Sequence, residues 1–596
     1  MSEGGKGIST KDIAIIVLII VLIGSWVYVA ITPKAKVTVV TPKTPEDTLL
    51  IVMDTGDMVS LDPAQAYEFS SCFVVNQLYD NLVTFKPPDY TTVIPELAET
   101  WEISEDGLTW TFHLRKGLTF PSGAKINATA VKYSFERVIM LERDFPAVAQ
   151  PAWVLTQFIN DTNQIEIVDE YTIKIHLHEK VAPGIFLSCL AFSVGGIVDP
   201  TVVKQHITTV DGKSDWGNKW LTDHSAGSGP YILKVWEREN KIELIANENY
   251  WRGAPKIKKI IIKHVPEPTD QMMMLQTGDA DIAWDLTTDQ ILEIKDTAGL
   301  KILSIPEFTL RYIGMNVNFT YFKDERVRDA IRYAIDYDGI ITGILKGGAV
   351  KNQGFIMLGI PGATSEVFYT RNVTKAKELL AEAGYPNGFE VEMIVPPSHP
   401  DVDIAAKIQS DLAEIGIKVN IRQVTEAELY PIYRAQQHQM VLAEWGADYV
   451  DPDALAKPFA DYRVRQLAWR NVWYDDYAAN LTEAAAKEMD FAKRLELYKE
   501  LTEYVVDKGP YVILYQGLRQ LAMGRWISGL SPDSTVFFLD LSQVYKESIY
   551  YGGGSSELTS ALSQALSAIP NIPVIAAIAQ IIENKKNIFQ FFIFVC

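Results

Sequence analysis

The sequence predicts an α/β fold made of several structural units, and three observations carry that prediction. The chain has 596 residues, more than one hydrophobic core accommodates and enough for three to four units. Residues 109–114 read Thr-Trp-Thr-Phe-His-Leu, a period-two alternation that marks a strand with one buried aromatic face. Residues 375–424 run helix, helix, strand, the repetition of an α/β unit.

The elements follow in order. Residues 13–31 form a charge-free run of 19 residues, long enough to cross a bilayer. A cleaved secretory signal fits less well, because the apolar region is long for one and no A-x-A site follows. Lysines flank the run on both sides, at Lys6 and Lys11 and at Lys34, Lys36 and Lys43, so positive charge does not set its orientation. Residues 32–47, rich in Thr, Pro and Lys, read as an extended spacer. The folded part begins at Thr48 with the strand segment LLIVM, and residues 70–82 read as a helix. Asp106-Gly107 between two apolar-aromatic runs marks a hairpin turn. Pro121-Ser122-Gly123 is a second turn, after which Asn127 or Thr129 caps a helix through Tyr133, Phe135 and Val138. Residues 165–177 alternate as a hairpin. Val327, Ile331, Ala334 and Ile335 share a helix face, as do Ile404, Ile408, Leu412 and Ile415. Gly384 stops the helix at 375–383, and residues 417–424 alternate as a strand. Beyond Lys546 come a Gly/Ser linker at 552–556, an apolar stretch broken by Pro570 and Pro573, and a short apolar end at 588–596.

A formal charge of −20 argues against nucleic acid as a partner, since that needs clustered Lys and Arg. The three cysteines, Cys72, Cys189 and Cys596, lack metal-ligand spacing. Cys72 and Cys189 are open to two readings: a disulfide in an oxidising compartment, or two small buried hydrophobes. Asn-x-Thr triplets at Asn127, Asn160, Asn318, Asn372 and Asn480 fit a glycosylated exterior protein. Neither H-E-x-x-H nor G-x-S-x-G occurs, so no enzyme is expected.

Residues 96–138, beginning ELAETWEISEDGLTWTFHLRKGLTFPSG, resemble the signature segment of the family 5 extracellular solute-binding proteins, the dipeptide and oligopeptide receptors of ABC importers. Further resemblances are Leu78-Tyr79-Asp80-Asn81-Leu82, Gly227-Ser228-Gly229-Pro230-Tyr231, Asn247-Glu248-Asn249-Tyr250-Trp251-Arg252-Gly253 and Gly278-Asp279-Ala280-Asp281-Ile282. Two more are Ile313-Gly314-Met315-Asn316 and the segment 324–336. The glycines and the Trp of these motifs, and the arginines of 324–336, read as structural. Lys6-Gly7-Ile8-Ser9-Thr10 resembles the class III signal of archaeal binding proteins, where cleavage after the glycine leaves the apolar helix in place.

The resemblance implies a two-lobed fold of the periplasmic-binding-protein type, class II-like and of cluster C, with an extra subdomain in the first lobe. It implies a signal or anchor at 1–31, a linker at 32–47 and lobe I at 48–305 with an insertion at about 86–227. Lobe II follows at 306–520, with a return to lobe I at 521–548 and a tail of unassigned role at 549–596. The expected protein is a monomeric receptor, anchored to the cell membrane with its globular part outside. It holds a peptide between closing lobes, hands it to ABC permease subunits, and needs no cofactor or metal.

The resemblance also implies the site. In peptide-binding relatives the Asp at the position of Asp448 pairs with the ligand α-ammonium, and a buried amine does need an anionic partner. Trp445 and Tyr449 would flank it as aromatic walls beside Gly446, and Tyr67, Phe69 and Ser70 align with a ligand-facing loop of the first lobe. His399 falls near the position where dipeptide-selective relatives hold the ligand carboxylate with Arg. A His is only a conditional cation, so longer peptides are admitted, with Arg311 and Arg434 as further candidate bases. Asp448, Asp451 and Asp453 do not have EF-hand spacing. The alternative ligand is an oligosaccharide on the same fold, which the 13 Trp and 27 Tyr would suit by stacking.

Overall fold

The computed structural model describes residues 39–547 except 533. Eleven strands form one mixed sheet: β1 (Thr48–Met53), β2 (Tyr231–Glu237), β3 (Lys241–Ala246), β4 (Lys259–His264), β5 (Ile282–Ala283), β6 (Leu300–Met315), β7 (Ala349–Val350), β8 (Glu390–Val395), β9 (Lys418–Gln423), β10 (Met440–Gly446) and β11 (Tyr511–Gly524). Their order is β2-β3-β4-β1-β5-β11-β6-β10-β8-β9, with β7 joined to β11. The two long strands β6 and β11 run antiparallel through the middle, and their register slips between Pro306 and Leu310. Residues 300–306 of β6 pair with β11, whereas residues 309–315 also pair with β10. These two strands therefore tie the half built on β1–β5 to the half built on β8–β10. Within the second half, β8 runs parallel to β9 and β10. Parallel neighbours require crossovers, and the helix between β8 and β9 supplies one, as the helix-then-strand pattern implies.

Seven helices matter for the site: α1 (Phe69–Leu78), α2 (Ala128–Asp144), α3 (Pro183–Ala191), α4 (Glu325–Ala334), α5 (Asp401–Ala413), α6 (Asp453–Ala460) and α7 (Phe491–Lys508). A separate four-stranded antiparallel sheet holds Ala98–Ile103, Thr109–Leu114, Thr172–His176 and Ile165–Asp169 in that order. The expected hairpin is present: Gly107 takes a φ of +77° and the Asp106 carboxylate accepts the Leu108 N–H. Trp110, Phe112 and Leu114 fill the core on one face. The Asn127 side chain accepts N–H bonds from Thr129 and Ala130 at the start of α2, a cap that contributes about 1 kcal/mol.

α1 ends at Leu78, four residues before the expected 82, because Asp80 leaves the helix for a buried polar cluster. Its carboxylate accepts bonds from Ser228 Oγ (2.7 Å), Tyr250 O–H (2.9 Å) and Trp251 Nε1 (3.3 Å). Beside it Glu96 pairs with Arg252 at 2.9 Å and accepts the Asn81 N–H. Motifs scattered over residues 78–253 thus converge on one charge cluster, which accounts for them structurally. A Cβ on Gly227 would lie 2.1 Å from the Leu78 carbonyl oxygen. Gly227→Ala is therefore expected to cost about 1–3 kcal/mol by overpacking, read as a lower denaturant midpoint.

Arg328 and Arg332 on α4 are buried and donate to the carbonyls of Phe322, Lys508, Asp507 and Tyr511; they brace the fold, as the sequence implies. The apolar face of α5, with Ile404, Ile408 and Leu412, packs in a core with Ile313, Met315 and Leu442. Cys72 and Cys189 are separate buried thiols, which decides between the two readings. Among the described residues no helix is long and apolar enough to cross a membrane. The expected anchor at 13–31, the class III signal and most of the tail lie outside the described residues.

Candidate ligand-binding site

Strand β10 carries the chain to the site. It pairs with β6 in the register Thr309–Gly446, Leu310–Trp445 and Arg311–Glu444. Side chains alternate along a strand, so Thr309, Arg311, Glu444 and Gly446 share one face, and Leu310 and Trp445 the other. A Cβ on Gly446 would lie 4.0 Å from the Phe69 ring at the start of α1. The Ala447 N–H then bonds the Phe308 carbonyl at 2.9 Å and turns the chain into Asp448.

Asp448 meets Tyr67, whose O–H donates to its Oδ1 at 2.5 Å. Burial pushes the Asp448 pKa up to about 6, against the lowering effect of that hydrogen bond. Among the described residues no cation pairs with it. Burial and the Asp448 charge push the Tyr67 phenol upward, so it stays the donor. Trp153 Nε1 donates to the Tyr67 oxygen at 3.4 Å, and the Trp153 ring lies 6.4 Å from that of Tyr449. The loop carrying Tyr67 is anchored by Asp62, which takes a two-pronged bond from Arg137 at 2.8 and 2.6 Å with both side chains fully buried. Asn218 Nδ2 and the Ala64 N–H complete the Asp62 shell.

The other candidate residues divide. Phe69 is exposed, stacks on Phe537 at 4.9 Å and faces Gly446. Ser70 turns away and donates to Asp57 at 2.7 Å. Trp445 lies 5.6 Å from the Arg470 guanidinium, and its buried Nε1 has no hydrogen-bond partner. Tyr449 is buried and donates to Asp453 at 2.7 Å. Asp451 is engaged by Arg494 and Asp453 by Lys457. The His399 side chain is 76% exposed and bonds Asp403 at 2.6 Å, apart from the Asp448 group. Arg311 is held between Glu444 (3.2 Å) and Asp401 (3.3 Å), and exposed Arg434 sits over the Tyr430 ring. The structure thus assembles Tyr67, Phe69, Gly446 and Asp448, and leaves Ser70 and His399 with other partners. Trp153 joins the group with no local pattern to announce it, 86 residues from Tyr67. A cavity of about 490 Å3 lies elsewhere, beside Asp80, Glu96 and Arg252; those groups are already bonded to one another and to the protein.

Residues 92–465 match the family model described as bacterial extracellular solute-binding proteins, family 5. The chain belongs to that family. It is 28% identical to a probable D,D-dipeptide-binding periplasmic protein of Escherichia coli, over 84% of this chain and 93% of the relative. It is 29% identical to heme-binding protein A of Haemophilus influenzae, over 73% of this chain and 81% of the relative. Its fold matches the periplasmic binding protein DppA of Helicobacter pylori, solved with the peptide STSA, at a TM-score of 0.66 and 26% identity, over 84% of this chain and 98% of that one. The mixed sheet and its helices are accordingly of the two-lobed periplasmic-binding-protein type found in family 5. Tyr67 and Asp448 meet although they are 381 residues apart in sequence.

Proposed function

We propose that this family 5 protein is the membrane-anchored, extracellular receptor of an ABC importer, capturing dipeptides or oligopeptides between its lobes and delivering them to the permease. One observation carries the reading: a half-buried carboxylate, Asp448, has a phenol against it and, among the described residues, no cation. An α-ammonium is the group that completes such a site, since a charge-assisted bond there is strong. The relatives that bind a dipeptide or the peptide STSA support the ligand class. Strands β6 and β11, the links through the sheet, are where lobe closure would bend. An extended peptide offers backbone groups to the strands and so tolerates varied side chains. The apolar run at 13–31 would anchor the receptor and 32–47 would lift it from the membrane.

The test is thermal unfolding of the full chain with added ligands, because a molecule that binds only the folded state raises Tm. Free-amine peptides are expected to raise it, and the same peptides N-acetylated to leave it unchanged. Equal shifts for both sets would remove Asp448 from the role. A shift with oligosaccharides alone would replace the peptide reading with the sugar one.

A further inference from the structure

The lobe junction carries more negative charge than a peptide's ammonium requires. Glu444 lies two residues before Gly446 on the same face of β10, the face that meets Phe69 of the other lobe. Its carboxylate is 43% exposed. Among the described residues the cation paired with it is Arg311, which is shared with Asp401. Asp401 is buried, and its Oδ1 accepts no hydrogen bond of good geometry. Glu307 and Glu426 add to the negative field at Glu444. Glu307 is held by Arg519, which also reaches Asp285. Four carboxylates, Glu444, Asp401, Glu307 and Asp285, therefore engage two guanidinium groups with Glu426 nearby, and both guanidinium groups are already ion-paired.

We propose that Glu444 makes the cleft select peptides with a basic side chain, a Lys or Arg whose cation sits on the Glu444 carboxylate. The inference rests on the peptide reading and adds the substrate class. A cation brought to this group neutralises charge that the shared Arg311 only partly compensates, through a charge-assisted bond in a half-buried place. An acidic side chain meets like charge and is rejected, which is how interfaces exclude wrong partners.

The experiment is calorimetric titration of the full chain with tetra-alanine and with its variants carrying Lys or Glu at position 2, 3 or 4. One Lys position is expected to bind about tenfold tighter than tetra-alanine, and Glu at that position about tenfold weaker. The Lys advantage shrinks as salt rises. Glu444→Gln is expected to bring the Lys-to-Ala ratio close to one. Tetra-alanine binding with no gain at any Lys position overturns the inference and leaves the peptide reading standing. A Lys advantage that persists in Glu444→Gln also overturns it. If none of the peptides binds, both readings fall. The peptide scan needs only the unaltered protein, so a misfolded variant does not shield the proposal.

Discussion

Asp448→Asn is expected to remove the capture of free-amine peptides and, at the same time, to make the ligand-free protein more stable. The amide keeps the shape and still accepts the Tyr67 O–H, but it brings no charge. Losing one partner of a desolvated charge pair costs about 2–5 kcal/mol, roughly 30-fold to several-thousand-fold in Kd. The stability gain follows from the raised pKa of about 6. The folded protein holds the Asp448 proton to higher pH than the unfolded chain does, so between about pH 4 and 6 it binds more protons, and stability falls as pH rises through that window. The contribution is intact below the unfolded pKa and is lost above about pH 6. The amide does not titrate, so the Asp448→Asn variant escapes that loss and should gain about 1–3 kcal/mol at pH 7.5 and nothing at pH 3.5. Melting curves at the two values test it; equal gains at both would disprove the assignment. The unaltered receptor should also bind free-amine peptides more weakly below about pH 6, where Asp448 takes up a proton.

Arg137→Met is expected to be the most damaging single change near the site that touches no ligand. Arg137 and Asp62 pair through two bonds, both side chains fully buried. Removing one partner strands the other charge and costs about 3–5 kcal/mol. The same loop holds Tyr67 against Asp448, so peptide affinity should fall along with the denaturant midpoint. Asp62→Asn in the Arg137→Met background should recover part of the loss, because the stranded charge is gone. A double variant less stable than Arg137→Met would show that packing, not the unpaired charge, dominates.

Much of the fold was legible in the sequence because its signals are local. The Asp106-Gly107 turn, the alternation at Thr109–Leu114 and the Asn127 cap each rest on a few neighbouring residues and stand in the structure, as do the stripes of α4 and α5 except that Ile335 and Ile415 fall just past their helices. The end of α1 departs from the expected residue 82 for the opposite reason: Asp80 answers to Ser228, Tyr250 and Trp251, far along the chain. The site was legible in part. Asp448 and the segment 67–70 were singled out through family resemblance, yet Ser70 turns to Asp57 and His399 to Asp403. Trp153 carried no mark at all. Arg311, considered as a base for the ligand carboxylate, is taken by Glu444 and Asp401.

From residue order alone came the positions of strands, helices and turns, the family and hence the two-lobed plan. These follow from backbone periodicity and from motif order, which are properties of short stretches. The meeting of Tyr67 with Asp448, the face on which Glu444 lies and the partners that occupy each charge came only with the folded chain. They depend on the register of β6 against β10 and on the approach of the 67–69 segment to β10; the two strands lie far apart in sequence, so no shared turn fixes their register.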